Sequence, residues 1–372
     1  MIFGLAACGK SSKGEDTIKI GWIAPLSGSG AATGDFVVNG LEIWKQDYGT
    51  INGKPVEIII EDTQSSDQGA ANAYLKLCSR GDLAAIGGCQ YSSQGLACLD
   101  YTAQYKIPTI HHGSSVRFAQ AVEEGNVYTW QNRINDTGTG ASLADAAVKV
   151  LGMKSICILN DTDSFGNGLG TAVENRLAEL GVTPTLRLEF VTGEANFDGY
   201  VAQMKDKGCD GVIICAHPNE AALIQVACDS WTDLIKLGSP DAGSSTTLKL
   251  SADKAIGWYS ISDFVPTIDT ELGSKFVKEY VEKFGINPDM NSSSAYDILT
   301  MFKLAIEAAN STDPAKVNDA LMNVEFDGVA AHYKFNEKHL GATSQFLCIN
   351  EKLEDGSIAP VIMDKITRAD ML

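Results

Sequence analysis

Short apolar runs alternate along this chain with longer stretches whose apolar residues recur every three or four positions. The runs Ile18 to Leu26, Val56 to Glu61, Leu83 to Gly87, Thr109 to His112, Ser155 to Asn160, Gly211 to Ala216, Ile235 to Gly238 and Trp258 to Ser262 have the length of strands. Between them lie helical patterns. Phe276, Val277, Tyr280, Val281 and Phe284 share one face, closed by Gly285 at a C′ position. Ala295, Ile298, Leu299, Phe302, Ala305, Ile306 and Ala309 share another, and Leu169, Val173, Leu177 and Leu180 a third, ending at Gly181. Strands separated by helices predict an α/β fold with parallel sheets and crossover helices.

The alternation restarts near Lys154, which predicts two units rather than one. At 372 residues the chain is long enough for each to bury its own core. The last hundred residues read as a helix pair and then β-like segments, too little for a third domain. A strand such as Ala331 to Phe335 is expected to complete the first lobe, so the chain crosses between lobes three times. We expect 17–134 plus 263–342 in lobe 1, 135–262 plus 343–372 in lobe 2, and 1–16 as a leader remnant and tether.

The chain carries 29 basic and 47 acidic residues, a formal charge of −18 that argues against nucleic acid or an anionic membrane surface as partner. No run of 18 apolar residues is present. Leu5-Ala6-Ala7-Cys8, followed by a polar stretch, resembles a bacterial lipobox, although a basic n-region and a full apolar core are missing before it. That resemblance implies lipidation of Cys8 and an outer-face anchor. The other cysteines, Cys78, Cys89, Cys98, Cys157, Cys209, Cys215, Cys228 and Cys348, form no Cys-x-x-Cys pair and have no histidine at ligand spacing, so no metal site is expected. Most read as buried and reduced; one or two disulfides remain open.

Three strand-to-loop junctions deliver small hydroxyl-bearing residues: Pro25 to Gly34, Gly87 to Gln94, and His111 to Ser115. Brought together at the carboxyl ends of parallel strands, such loops form a pocket for a small polar or anionic molecule. Gly28, Gly30 and Gly34 nearly spell a dinucleotide loop, with Glu61 and Asp62 as a ribose acid, but the third glycine comes one residue late. His111 and His112 beside Ser114 and Ser115 invite a hydrolase reading. Adjacent residues on an extended segment point to opposite faces, however, and no Gly-x-Ser-x-Gly elbow exists. One histidine is expected at the pocket rim and the other in solvent. Asp241, after a strand of the second unit, suits a ligand ammonium or a cap equally well. Phe165, in another strand-end loop, suits a ring wall or the core.

In order along the chain, Ile20-Gly-Trp-Ile-Ala-Pro-Leu-Ser-Gly, Asn52-Gly53, Ile86-Gly with Ser92-Ser93, Ile107-Pro-Thr with Gly113-Ser-Ser115, Asn160-Asp with Phe165-Gly166, and Ala295-Tyr-Asp297 resemble the branched-chain amino-acid-binding proteins of ABC importers. The resemblance implies a type I periplasmic-binding fold, two Rossmann-like lobes with a solute trapped between them. It also implies a ligand carboxylate held by Ser92, Gly113 and Ser115 with Ser93 and Ser114 beside them, an ammonium held by Asp241, and a ring wall from Phe165. Two departures follow: Thr33 and Ala216 stand where relatives often place tyrosines, and a longer serine loop introduces Tyr91. Loss of two rings enlarges the pocket unless Tyr91 or Trp130 refills it. The function implied is that of an extracytoplasmic solute-binding lipoprotein of an ABC importer, taking an amino acid or another small carboxylate or amide, with a permease as partner, no cofactor and no catalysis, acting as a monomer. A receptor's ligand-sensing module and an NAD-dependent enzyme are the rival classes.

Overall fold

The computed structural model describes residues 17–342 and 344–367. Cys8 and its neighbours lie outside the described residues. The first sheet contains β1 (Ile18–Ala24), β2 (Thr50–Ile51), β3 (Lys54–Asp62), β4 (Ala85–Gly88), β5 (Thr109–His111) and β6 (Thr129–Gln131), in the order β2-β3-β1-β4-β5-β6. All its pairings are parallel except the β2–β3 hairpin. The second sheet begins with β7 (Ile156–Asp161), β8 (Leu186–Phe190), β9 (Gly211–Cys215), β10 (Ile235–Gly238) and β11 (Tyr259–Ser262). The two lobes are thus the mixed α/β units that the alternation predicts.

Side-chain alternation places each sheet between two helical layers. In β1, Ile18, Ile20, Trp22 and Ala24 face one core, which includes Phe36, Trp44 and Phe302 of the helices Ala31–Asp47 and Met290–Ala309, while Ile23 faces the other with Tyr74 and Leu77. In β7, Ile156 and Ile158 pack with Leu169 and Val173, whereas Cys157 and Leu159 pack with Phe197 and Met204. A strand buried on both faces has no polar alternation, which is why these runs read as continuous apolar stretches. Helix ends follow local chemistry: Gly285 closes Glu271–Phe284 in the left-handed region at φ 70°, and Asp289 with Ser292 forms a capping box on Met290–Ala309.

The chain passes to the second lobe after β6, where the helix Asp136–Asp145 packs on the helix Ser164–Glu179. It returns after β11, and the helices Glu271–Phe284 and Met290–Ala309 pack on Ala31–Asp47. Gly40 makes that last contact possible, because a Cβ there would strike the Ser292 carbonyl. The segment expected as a strand near Ala331 forms β13 (His332–Lys334), which pairs with β12 (Glu325–Asp327) in a small hairpin and makes a single antiparallel bridge from Tyr333 to Ala342. The chain then crosses again: β14 (Ser344–Lys352) pairs antiparallel with β11, and β15 (Ile358–Thr367) with β14, giving the order β15-β14-β11-β10-β9-β7-β8. Asp297 supports this region from below, its carboxylate accepting hydrogen bonds from Val329 N, Ala330 N and Tyr333 Oη. The eight cysteines of the described residues are all buried and none forms a disulfide. No helix among the described residues is long and apolar enough to cross a membrane.

Candidate functional site

The loops after β4 and β5 are tied together by one side chain. Ser92 Oγ accepts hydrogen bonds from Ser114 N at 3.1 Å and Ser115 N at 3.2 Å, leaving its proton for an acceptor in the cleft. Gly113 permits the approach: a Cβ at that position would stand 2.9 Å from Ser92 Cα. Gln131 Nε2 donates to the Gly113 carbonyl, fixing the second loop against β6. Ser115 Oγ accepts from Arg117 N, a local bond, and Ser93 faces the outer part of the cleft. Tyr91 leads into the short helix Ser92–Leu96, and its hydroxyl donates to Thr33 Oγ1 at 3.3 Å.

The second lobe contributes from the ends of β7, β9 and β10. Asp163 caps the helix Ser164–Glu179 by accepting from Gly166 N, and its other oxygen lies 2.9 Å from His217 Nε2. His217 Nδ1 stands 3.9 Å from Asp241 Oδ2. The Phe165 ring lies 5.0 Å from the His217 ring, and Tyr91 of the first lobe meets that ring edge-on from across the cleft. A cleft of about 730 Å³ opens between the lobes, within the size range of small-molecule sites. Deeper lies a cavity of about 20 Å³ that shares Thr33, Tyr91, His217 and Pro218 with it. Ser92, Ser114, Phe165 and Asp241 line this inner cavity with Gln90, His112 and Arg133.

Burial and charge set the protonation states. Burial alone would lower the His217 pKa, but the hydrogen bond it donates to Asp163 and the charges of Asp163, Asp241 and Asp161 lift it to about 9, so the ring is an imidazolium at neutral pH. Burial pushes Asp241 up to about 6, against the pull of His217 and Arg133. His112 is held neutral, first by burial and then by the Arg133 charge, with Asn132 beside it acting the other way.

The structure therefore brings Thr33, Tyr91, Ser92, Ser93, Ser114, Phe165 and Asp241 to one cleft, with Gly113 and Ser115 in the supporting backbone. Ala216 stands apart: fully buried in the second-lobe core, it lines neither cavity, and its carbonyl accepts from Ser239 Oγ. Trp130 does not refill the pocket either, since it stacks on His339 and donates to Asn318. Neither histidine of the pair is solvated: His111 is buried against Phe118 and His112 lines the inner cavity. Asp62, the would-be ribose acid, is occupied by Leu26 N, Ser27 N, Ser27 Oγ and Gln64 N. Asp161, Asp163 and His217 bring ligand-type atoms within 4.8 Å of one another. Thr192 Oγ1 and Asp163 N already satisfy Asp161, and His217 is held by Asp163, which makes this trio a hydrogen-bonded network.

Gln90, Arg133 and His217 escaped the reading of the sequence. Each is a polar residue just past a strand end, His217 two positions after β9 and Gln90 two after β4. That position was itself the available signal.

Two α/β lobes that present polar strand-end groups to a shared cleft define a two-lobed binding protein of the type I periplasmic fold. The chain matches the family model described as "Periplasmic binding protein" over residues 17–347 and belongs to that family. Among curated relatives, an amino acid binding protein of Pseudomonas aeruginosa is 23% identical over 331 residues, covering 86% of each chain. A Leu/Ile/Val-binding protein homologue of Brucella abortus is 24% identical over 326 residues, again 86% of each. Among solved structures, a leucine-binding protein of Thermotoga maritima superposes with a TM-score of 0.85 at 24% identity, over 95% of this chain and 100% of that one. A solute-binding protein of an ABC transporter from Rhodopseudomonas palustris, in complex with 3,4-dihydroxybenzoic acid, gives 0.88 at 18% identity, over 95% and 98%. These relatives and neighbours are solute-binding proteins, not enzymes.

Proposed function

We propose that this protein is the extracytoplasmic solute-binding component of an ABC importer and traps a small amino acid between its lobes. The observation that carries this reading is the pairing across one cleft of Ser92, with its two tethered backbone amides, and the buried carboxylate of Asp241. The serine side suits an α-carboxylate through the Ser92 proton, and Asp241 suits an α-ammonium. Tyr91 and Phe165 supply ring walls. Solute binding bridges the lobes, stabilises the closed form, and the closed form is what the permease receives.

A second reading, a carboxylate without an ammonium, is favoured by one specific contact. His217 already gives Asp241 a cationic neighbour at 3.9 Å, so Asp241 does not require a positive ligand group. A thermal-shift panel of amino acids and aromatic acids tests both. A ligand present at about 100 times its dissociation constant adds about 2.7 kcal/mol of stability. No shift with any member of either class would overturn the reading.

The protein acts as a monomer, held at the outer face of the cell membrane through lipid on Cys8. Two or more acyl chains suffice for anchoring at about 0.8 kcal/mol per buried methylene. Expressed in a host with its own lipoprotein pathway, the full chain should fractionate with membranes, and Cys8→Ala should release it. A wild-type protein found entirely in the medium would exclude the anchor.

A further inference from the structure

The proposed site accounts for a carboxylate and an ammonium, yet the inner cavity carries more hydrogen-bonding capacity than those two groups consume. Gln90 is 7% exposed, and neither its Oε1 nor its Nε2 has a partner. His112 is 2% exposed, and neither ring nitrogen makes a hydrogen bond of ordinary geometry. Arg133 is 6% exposed; one end of its guanidinium pairs with Asp263 while Nε has no partner. All three line the cavity between Ser92 and Asp241. Buried polar groups without partners are rare because each forfeits its bonds to water on folding, and three facing one cavity mark a place where a ligand completes them.

Resting on the proposed solute-trapping role, we propose that the solute carries, besides its carboxylate, a neutral hydrogen-bonding group, a carboxamide or a hydroxyl, received by Gln90, His112 and Arg133. The three offer donors at Gln90 Nε2 and Arg133 Nε, an acceptor at Gln90 Oε1, and one of each on the neutral imidazole. A group that both donates and accepts satisfies such a set. A branched aliphatic side chain satisfies none of it and leaves the amide and imidazole dry and unpaired. Ionic ends match the set less well. A cationic end only donates and would lie against Arg133 and His217, which outnumber Asp241 on the cavity wall. An anionic end only accepts and leaves Gln90 Oε1 and the imidazole acceptor unpaired.

Calorimetry with matched pairs tests this: asparagine against leucine, threonine against valine, and 4-hydroxybenzoate against benzoate. The polar member of at least one pair should bind about ten-fold or more tightly than its apolar partner, and Gln90→Leu should erase that preference while circular dichroism and thermal unfolding confirm a folded protein. Binding by panel members with no pair in which the polar member is preferred in wild type would overturn the inference and leave the solute-binding role intact. If no compound in the panel binds, the role itself fails and the inference with it. A preference that survives unchanged in folded Gln90→Leu and in His112→Phe would likewise overturn the assignment to these residues.

Discussion

Tyr91 and His217 meet edge-on across the cleft, their ring centroids 5.0 Å apart and their planes at 83°. One follows the fourth strand of the first sheet and the other the third strand of the second, so the contact joins the two lobes where a solute would lie. His217 is also a titratable member of the cleft, and its protonation links folding to pH. Its folded pKa of about 9 lies above the ordinary value of 6.5. The group therefore contributes stability that is fully present below about pH 6.5 and is lost as pH rises through about 9. Urea unfolding of wild type and His217→Gln at about pH 6 and about pH 10 should show the wild-type advantage, of a few kcal/mol at most, shrinking at the higher pH. Asp241, raised to about 6, is midway through its own titration at the lower pH, so a third measurement at about pH 7.5, with Asp241 ionised and His217 still charged, separates the two groups. A constant difference between the two proteins would show that folding does not raise the His217 pKa.

Ser92 serves two backbone amides at once, those of Ser114 and Ser115. Ser92→Ala leaves both donors buried without an acceptor, and each such loss costs about 1–3 kcal/mol before relaxation. Denaturant midpoints should fall accordingly, and affinity for carboxylate ligands should fall with them. A variant as stable as wild type would mean that the two loops are held by other contacts.

Asp241→Asn separates an amino acid from a plain carboxylate. A hydrogen bond to a charged group contributes about 1.5–3 kcal/mol, or about 10-fold to 150-fold in affinity. The substitution should therefore weaken an amino-acid ligand by that factor and leave its deaminated analogue nearly untouched, as read by calorimetry on both ligands. Equal affinities for the amino acid in wild type and variant would assign Asp241 to His217 alone.

Which parts of this molecule were legible in the sequence follows from how deeply each part is buried. Cys157 and Leu159 on one face of β7, with Ile156 and Ile158 on the other, are all enclosed, so the run announced itself. β8 escaped because Leu186, Leu188 and Arg187 are only partly buried and Glu189 is exposed, which blurs the apolar signal. β6 is three residues long, and β14 carries Gln345 and Asn350 inward, their amide nitrogens donating to the Asp263 carboxylate and the Ala242 carbonyl. At the site, Ser92, Ser114 and Asp241 were legible because small hydroxyls and acids at strand ends are conspicuous. His217 was hidden by the proline after it, which reads first as a helix start, and Arg133 by its position after a strand too short to detect. Ala216 failed for a periodic reason: it continues the apolar run of β9 and stays in the core instead of turning into the cleft.

The central claim is that a solute bridges the two lobes and holds them together. Small-angle X-ray scattering with and without the tightest ligand from the panel tests it most directly. The radius of gyration should decrease on binding while far-ultraviolet circular dichroism stays the same, because hinge closure moves rigid lobes without refolding them. A saturating ligand that leaves the scattering curve unchanged would contradict the trap and place binding on one lobe alone.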